Sequence, residues 1–344
     1  MDAESLASPD LYPIGFDVRT ERIRFIRLDE ARYAAESFLD QRILPAEGEE
    51  TWLPWTDVQQ AGERYGGACD FIFHIGHVGS TLLSRLLGQS PRVFSLREPE
   101  VLRDLARAEL AGQEPERLAQ WTRTFLRMWG RVYRPGQKTL LKATSFATEL
   151  APLIMRLDPS ASAVLMLVSP SIYLAGILSS EGAREEARLK GPMQVSRLHR
   201  RLGRPVWRLE DMSDGEIVAM NWLCEISALS DVGAACPDRV VWLDFEAFLA
   251  EPAQGLARVL RRLHGEAPDG VVSAMLQSAD MRRYSKAPEF SYDANLRRRV
   301  LAQASVEHQA EIDRGIQWLN AAGESHAALA QAMRHVAAAR TPST

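Results

Sequence analysis

The chain has 344 residues and 46% apolar content, enough for one large core or two small ones and too apolar for bulk disorder. A formal net charge of −4 with a pI near 6.0 argues against a dedicated nucleic-acid binder, and still allows a local basic pocket. Cys69, Cys224 and Cys236 are far apart and show no zinc or redox spacing, so they read as reduced packing residues, as expected in the cytoplasm. The start, Met1-Asp2-Ala3-Glu4-Ser5, lacks the basic and apolar regions of a signal peptide, and no apolar run is long enough to span a membrane.

Residues 1–20 read as an irregular lead-in. Residues 22–28 alternate enough to predict a strand, and residues 29–42, with Ala31, Tyr33, Ala34, Phe38 and Leu39, an amphipathic helix. Prolines and glycines make 45–67 a loop. An apolar run from Phe71 to Ile75 then meets a short glycine turn, and Leu82, Leu83, Leu86 and Leu87 follow at helical spacing. Further strands are predicted at 92–96, 138–142, 163–168 and 239–244. Helical segments fall near 100–111, 115–133, 147–157 and 171–180. The highly charged stretch 182–205 reads as an exposed helix and loop, with the basic residues 197–208 on a solvated face. Ser213 opens a long helix with Glu216 three residues on, the capping-box pattern, and mostly helical sequence runs from 252 to about 339.

Strand and helix alternate, which predicts an α/β three-layer fold of the P-loop type with a central parallel sheet and a helical C-terminal part. The expected organisation is an N-terminal extension over 1–68 packed on a domain over 69–339. Within that domain 182–234 is a helical insert and 252–339 the helical C-terminal part, and 340–344 is a tail.

The turn after Ile75 carries the chemistry. Glycine lets the backbone approach an anion, and a helix start offers unpaired N–H groups with the positive end of the helix dipole. Ser80 and Thr81 add hydroxyls where an anion would sit. The same hydroxyls also suit simple N-capping. The turn is not a Walker A loop, because Gly76 and Gly79 are too close and no lysine precedes Ser80. Ligands of open parallel sheets sit at the carboxyl ends of strands. The turn, Arg97-Glu98, Lys142-Ala143-Thr144 and Val168-Ser169-Pro170 all fall at such ends. Glu98 reads as a general base, if its pKa is raised, or as a charge at the next helix start. Lys142 reads as an anion contact or half of a structural ion pair. His77 reads as an anion ligand or a surface turn residue, and His74 as a hydrogen-bonded core histidine.

Gly76-His77-Val78-Gly79-Ser80-Thr81-Leu82-Leu83 resembles the phosphosulfate loop of sulfotransferases, roughly Pro-[Lys/Arg]-Ser-Gly-Thr-Thr-Leu-Leu. His77 then stands at the basic position. The order of further segments is similar to that of bacterial members. Lys142-Ala143-Thr144 stands for Lys-[Ser/Thr]-Pro, and Leu157-Asp158-Pro159-Ser160-Ala161 for the Phe-Pro-[Asp/Glu]-Ala turn. Val168-Ser169-Pro170 stands for Arg-Asp-Pro. Residues 242–252 resemble the Tyr-Glu-Asp-Leu…Asp-Pro segment, so the likeness spans about 70–290. It implies transfer of a sulfonyl group from 3′-phosphoadenosine 5′-phosphosulfate (PAPS) to a hydroxyl or amine, without a metal. His77, Glu98 and Lys142 would be catalytic, Glu98 matching an acidic residue of tyrosylprotein-type members.

The resemblance also implies that Gly76, His77, Val78, Gly79, Ser80, Thr81 and Leu82 bind the donor. The family's 3′-phosphate arginine and serine are Val168 and Gly176 here. Ser171, Ser179, Arg184 and Lys286 are the substitutes nearby, and Ser171 and Lys286 are taken as donor contacts. Lys286 lies in Tyr284-Ser285-Lys286-Ala287, which faintly resembles the family's Arg-Lys-Gly loop. The acceptor is a small molecule or peptide that the sequence does not specify, and a homodimer is compatible with it. A phosphotransferase or nucleotide hydrolase, with Asp244 as a magnesium ligand, and a non-catalytic nucleotide- or partner-binding relative are the competing readings.

Overall fold

The computed structural model describes residues 3–44, 50–282 and 294–340. Three strands, β1 (Leu11–Asp17), β2 (Arg22–Arg27) and β3 (Thr51–Pro54), form an antiparallel sheet in the order β1-β2-β3. Strands β4 (Cys69–His74), β5 (Val93–Arg97), β6 (Lys138–Lys142), β7 (Ala163–Leu167) and β8 (Val240–Asp244) form a second sheet in the order β5-β6-β4-β7-β8. Every pairing in this second sheet is parallel. The predicted fold class is therefore the observed one.

Continuous apolar runs explain the central position of β4 and β7. All residues of both strands are buried, as a parallel sheet covered on both faces requires. The register pairs Ile72 with Lys142 and His74 with Met166, so the ends of β4, β6 and β7 come out side by side. Helix Asp214–Ala235 is apolar nearly all round and is buried along most of its length. It opens with the predicted capping box and packs against helices Glu181–Leu202, Gln309–Ser325 and Ala327–Arg340. Its close crossing with Gln309–Ser325 depends on Gly215, where a Cβ would lie 1.9 Å from the Glu311 carbonyl oxygen.

Four expectations change. The stretch 45–67 holds β3 and helix Trp55–Tyr65, whose Trp55, Val58 and Ala61 recur every three residues and pack into the core, a pattern hidden by the prolines and glycines on either side. The lead-in contains β1, an edge strand in which Pro13 and Gly15 flank a register shift; edge strands tolerate proline, and the two residues hide the alternation. The helix expected over 29–42 stops after Glu30–Ala35, and a 3₁₀ turn follows at Gln41–Ile43. Tertiary contacts end it: the buried Arg97 guanidinium takes the carbonyls of Tyr33, Ala34 and Glu36, and Leu39 N–H donates to Arg97 O at 2.7 Å. The charged stretch is one helix, Glu181–Leu202, and its Gln194, Arg197 and Leu198 are buried rather than solvated. No helix among the described residues is long and apolar enough to cross a membrane.

Candidate anion-binding site

Strand β4 delivers the chain into the turn Ile75–Gly79, and helix Ser80–Leu87 starts directly after it. His77 and Gly79 both adopt left-handed backbone, with φ of 62° and 67°. Gly79 is required twice. Its φ disfavours L side chains, and a Cβ there would lie 2.1 Å from the Phe245 ring. A valine at 79 would therefore disturb the turn and its packing as well as any bound anion.

All seven loop residues from Gly76 to Leu82 line one cavity of about 560 Å³. His77, Glu98 and Lys142 line it too, so the candidate catalytic residues meet in one place. Thr81 is buried, and its Oγ1 has no hydrogen-bond partner among the described residues. A buried hydroxyl left unpaired costs about 1–3 kcal/mol. Thr81→Val keeps the shape and removes the orphan. The variant is expected to be as stable as the wild type or more so in thermal denaturation. Its sulfate affinity in calorimetry should drop several-fold, and unchanged affinity would remove Thr81 from the site.

Opposite the loop, Glu98 and Lys142 form a buried ion pair. Glu98 has a left-handed φ of 53°, and its N–H donates to Lys142 O at 2.8 Å, so the two strand ends are fastened by backbone and side chain. Arg103 reaches the other carboxylate oxygen at 3.3 Å. Burial pushes the Glu98 carboxyl up, but the Lys142 ammonium beside it, aided by Arg103, outweighs burial and holds it at about 2. This corrects the raised pKa expected of a general base. As folded, Glu98 is an ionised partner of Lys142 and a weak base. Phe38 and Arg42 cover this end, the Arg42 guanidinium lying 3.7 Å from the Phe38 ring centroid.

His74 is a core histidine, as predicted. Its ring nitrogens face Ile75 O at 2.7 Å and Ala143 O at 2.8 Å. Burial, with Lys142 nearby, pushes its pKa down to about 3, so the ring is neutral and donates to one of the two.

The other end of the cavity is mostly apolar. Val168 is buried and its carbonyl accepts the Trp222 indole N–H at 3.1 Å. Gly176 faces Leu301, whose Cδ2 would be 3.8 Å from an added Cβ. Leu296 and Val300 continue this wall, and Arg297 there is paired with Glu246 at 2.6 Å. Ser179 lines the cavity, whereas Ser171 is exposed and does not. Lys286 lies outside the described residues. Asp244 caps helix Phe245–Ala250 by accepting Ala247 N–H at 3.0 Å.

One member of the site has no sequence signal. Glu225, on helix Asp214–Ala235, accepts the Gly76 N–H at 3.0 Å across 149 residues of chain. It is buried beneath the loop.

A strand, a glycine turn and a helix start at the carboxyl edge of a parallel sheet define an α/β protein of the P-loop type. No family model and no curated protein matches the chain. Among solved structures, it is similar to a sulfotransferase domain from the curacin biosynthetic pathway, at 12% identity and a TM-score of 0.41, over 71% of this chain and 98% of that one. It is similar to a sulfotransferase from Mycobacterium avium at 12% identity and a TM-score of 0.40, over 82% and 92% of the two chains. It is also similar to a mouse sulfotransferase complexed with PAP at 8% identity and a TM-score of 0.42, over 80% and 93%. The likeness is one of general layout.

Proposed function

We propose that the chain is a sulfotransferase-like enzyme that moves a sulfonyl group from PAPS to a hydroxyl or amine acceptor. The observation that supports this reading is the meeting of residues 76–82, Glu98 and Lys142 on one cavity at the carboxyl ends of β4, β5 and β6. Those features fit a phosphosulfate group, and PAPS would supply the sulfonyl group to be moved. The loop N–H groups, Ser80, Thr81 and His77 would hold the anion and stabilise charge building on the bridging oxygen. Lys142 would turn from Glu98 toward the transferring group. As the acceptor's oxygen or nitrogen bonds to sulfur, the bond from sulfur to the bridging oxygen would break and adenosine 3′,5′-bisphosphate would leave; Glu98, released from its ammonium partner, would regain basicity and take the acceptor's proton.

The 3′-phosphate is the weak point of the fit, since Val168 and Gly176 offer it neither a charge nor a hydroxyl. Parallel calorimetry with adenosine 3′,5′-bisphosphate, AMP and ATP tests the donor. Adenosine 3′,5′-bisphosphate should bind more tightly than AMP, and Lys286→Ala should remove that preference, at about 1.5–3 kcal/mol for a charge-assisted contact. Equal binding of the two by the wild type would sink the PAPS assignment. Magnesium-dependent preference for ATP would move the phosphotransferase or hydrolase reading ahead. Nucleotide binding without turnover would favour the non-catalytic one.

A further inference from the structure

The loop is held from inside the core as well as open to the cavity. Glu225 Oε2 accepts the Gly76 N–H at 3.0 Å, and Oε1 accepts Gln194 Nε2 at 3.3 Å. Gln194 is itself held by Arg197 Nη1 at 3.4 Å, and Arg197 donates to Phe146 O at 3.2 Å. The charged and titratable groups facing Glu225 come from three helices. Lys190, Arg197 and Glu186 belong to Glu181–Leu202, Tyr173 to Pro170–Leu178, and Cys224 to its own helix. Lys190 and Glu186 pair at 2.6 Å and reach the cavity wall.

We infer that Glu225 is a positioning residue of the anion loop: it anchors the first loop N–H from beneath, and its charge sets how tightly the loop holds an anion. The inference rests on the loop being an anion site. A carboxylate one hydrogen bond below the loop repels an anion above it, and the buried setting screens that repulsion poorly. Burial pushes the Glu225 carboxyl up to about 7, against the pull of Lys190 and the Gly76 N–H. Near neutral pH the charge is therefore present in only part of the molecules. Binding an anion favours the neutral form, so it takes up a proton, and by reciprocity protonation favours the anion.

Sulfate affinity should fall roughly tenfold as pH rises from about 6 to about 8, equivalent to 1.4 kcal/mol. Inorganic sulfate is the probe, since it does not titrate in this range. Glu225→Gln keeps an acceptor for Gly76 N–H without the charge, and should bind sulfate more tightly than the wild type at about pH 8, with a flat profile once it is combined with His77→Lys. His77→Lys removes the loop histidine and should keep the slope. Calorimetry of that variant in two buffers of different ionisation enthalpy should show proton uptake on sulfate binding, a measurement that stands even if Glu225→Gln fails to fold. A slope that survives in the Glu225→Gln, His77→Lys double variant, or one that disappears with no proton uptake in His77→Lys, overturns the role of Glu225. No sulfate binding by the wild type at any pH overturns the anion loop itself, and the inference with it.

Discussion

Replacing Glu98 with glutamine is expected to lower kcat by about 10²–10⁴ while the donor binds as well as before or better. On the proposed mechanism the two effects separate, because Glu98 would take a proton from the acceptor and reach the donor only through Lys142. Glutamine cannot accept the acceptor's proton, so the chemical step suffers. It also holds Lys142 less firmly than a carboxylate does, so the ammonium is freer to meet an anion. The check is steady-state turnover with whichever phenol, alcohol or amine supports it, set beside calorimetric affinity for adenosine 3′,5′-bisphosphate. Near-normal kcat would reduce Glu98 to a partner for Lys142.

Lys142→Met is expected to be the most destabilising single change at the site, at about 3–5 kcal/mol, because it leaves the buried Glu98 carboxylate without its main partner. The sign of its pH dependence follows from the pair. In the wild type Lys142 holds the folded-state carboxyl at about 2, below its unfolded value. That stabilisation is present above the usual carboxylate range and is lost as pH falls through about 2. Without Lys142, burial dominates and favours the protonated acid. The penalty of the variant should therefore shrink as pH is lowered through the carboxylate range. Glu98→Gln in the Lys142→Met background should recover much of the loss at neutral pH. Urea denaturation of the two single variants and the double variant measures all of this. A Lys142→Met penalty below about 1 kcal/mol would show that the pair behaves like an exposed one.

The loop and its two facing residues were legible because they depend on short-range rules. Residues 71–73 and 75 are apolar since both faces of β4 are covered, with His74 among them hydrogen-bonded to core carbonyls, and Gly79 marks a turn that tolerates no side chain. Glu98 and Lys142 were found by standing at strand ends. Ser171 was misplaced by one helical step. Residues 172, 176 and 179 share the face turned to the cavity, and 171 points about a quarter-turn away, into solvent. What remained hidden depends on distant partners. Arg97 ends a helix some sixty residues earlier by taking its carbonyls. Arg197 looks like surface charge until Phe146 O and Gln194 are placed against it. Glu225 has no local feature at all, and only the fold brings it under Gly76.

The order β5-β6-β4-β7-β8 has a consequence for how the cavity can change. The chain leaves β4 toward β5 and β6, and leaves the adjacent β7 toward β8, so the crevice opens where the two halves of the sheet part company. Glu98, Arg103 and Lys142 come from the first half, and Val168, Ile172 and Gly176 from the second, with the glycine turn between them. One wall can be rewritten without touching the other. Substitutions at Val168 and Gly176 would then reshape one side of the crevice and leave the Glu98–Lys142 pair across it intact.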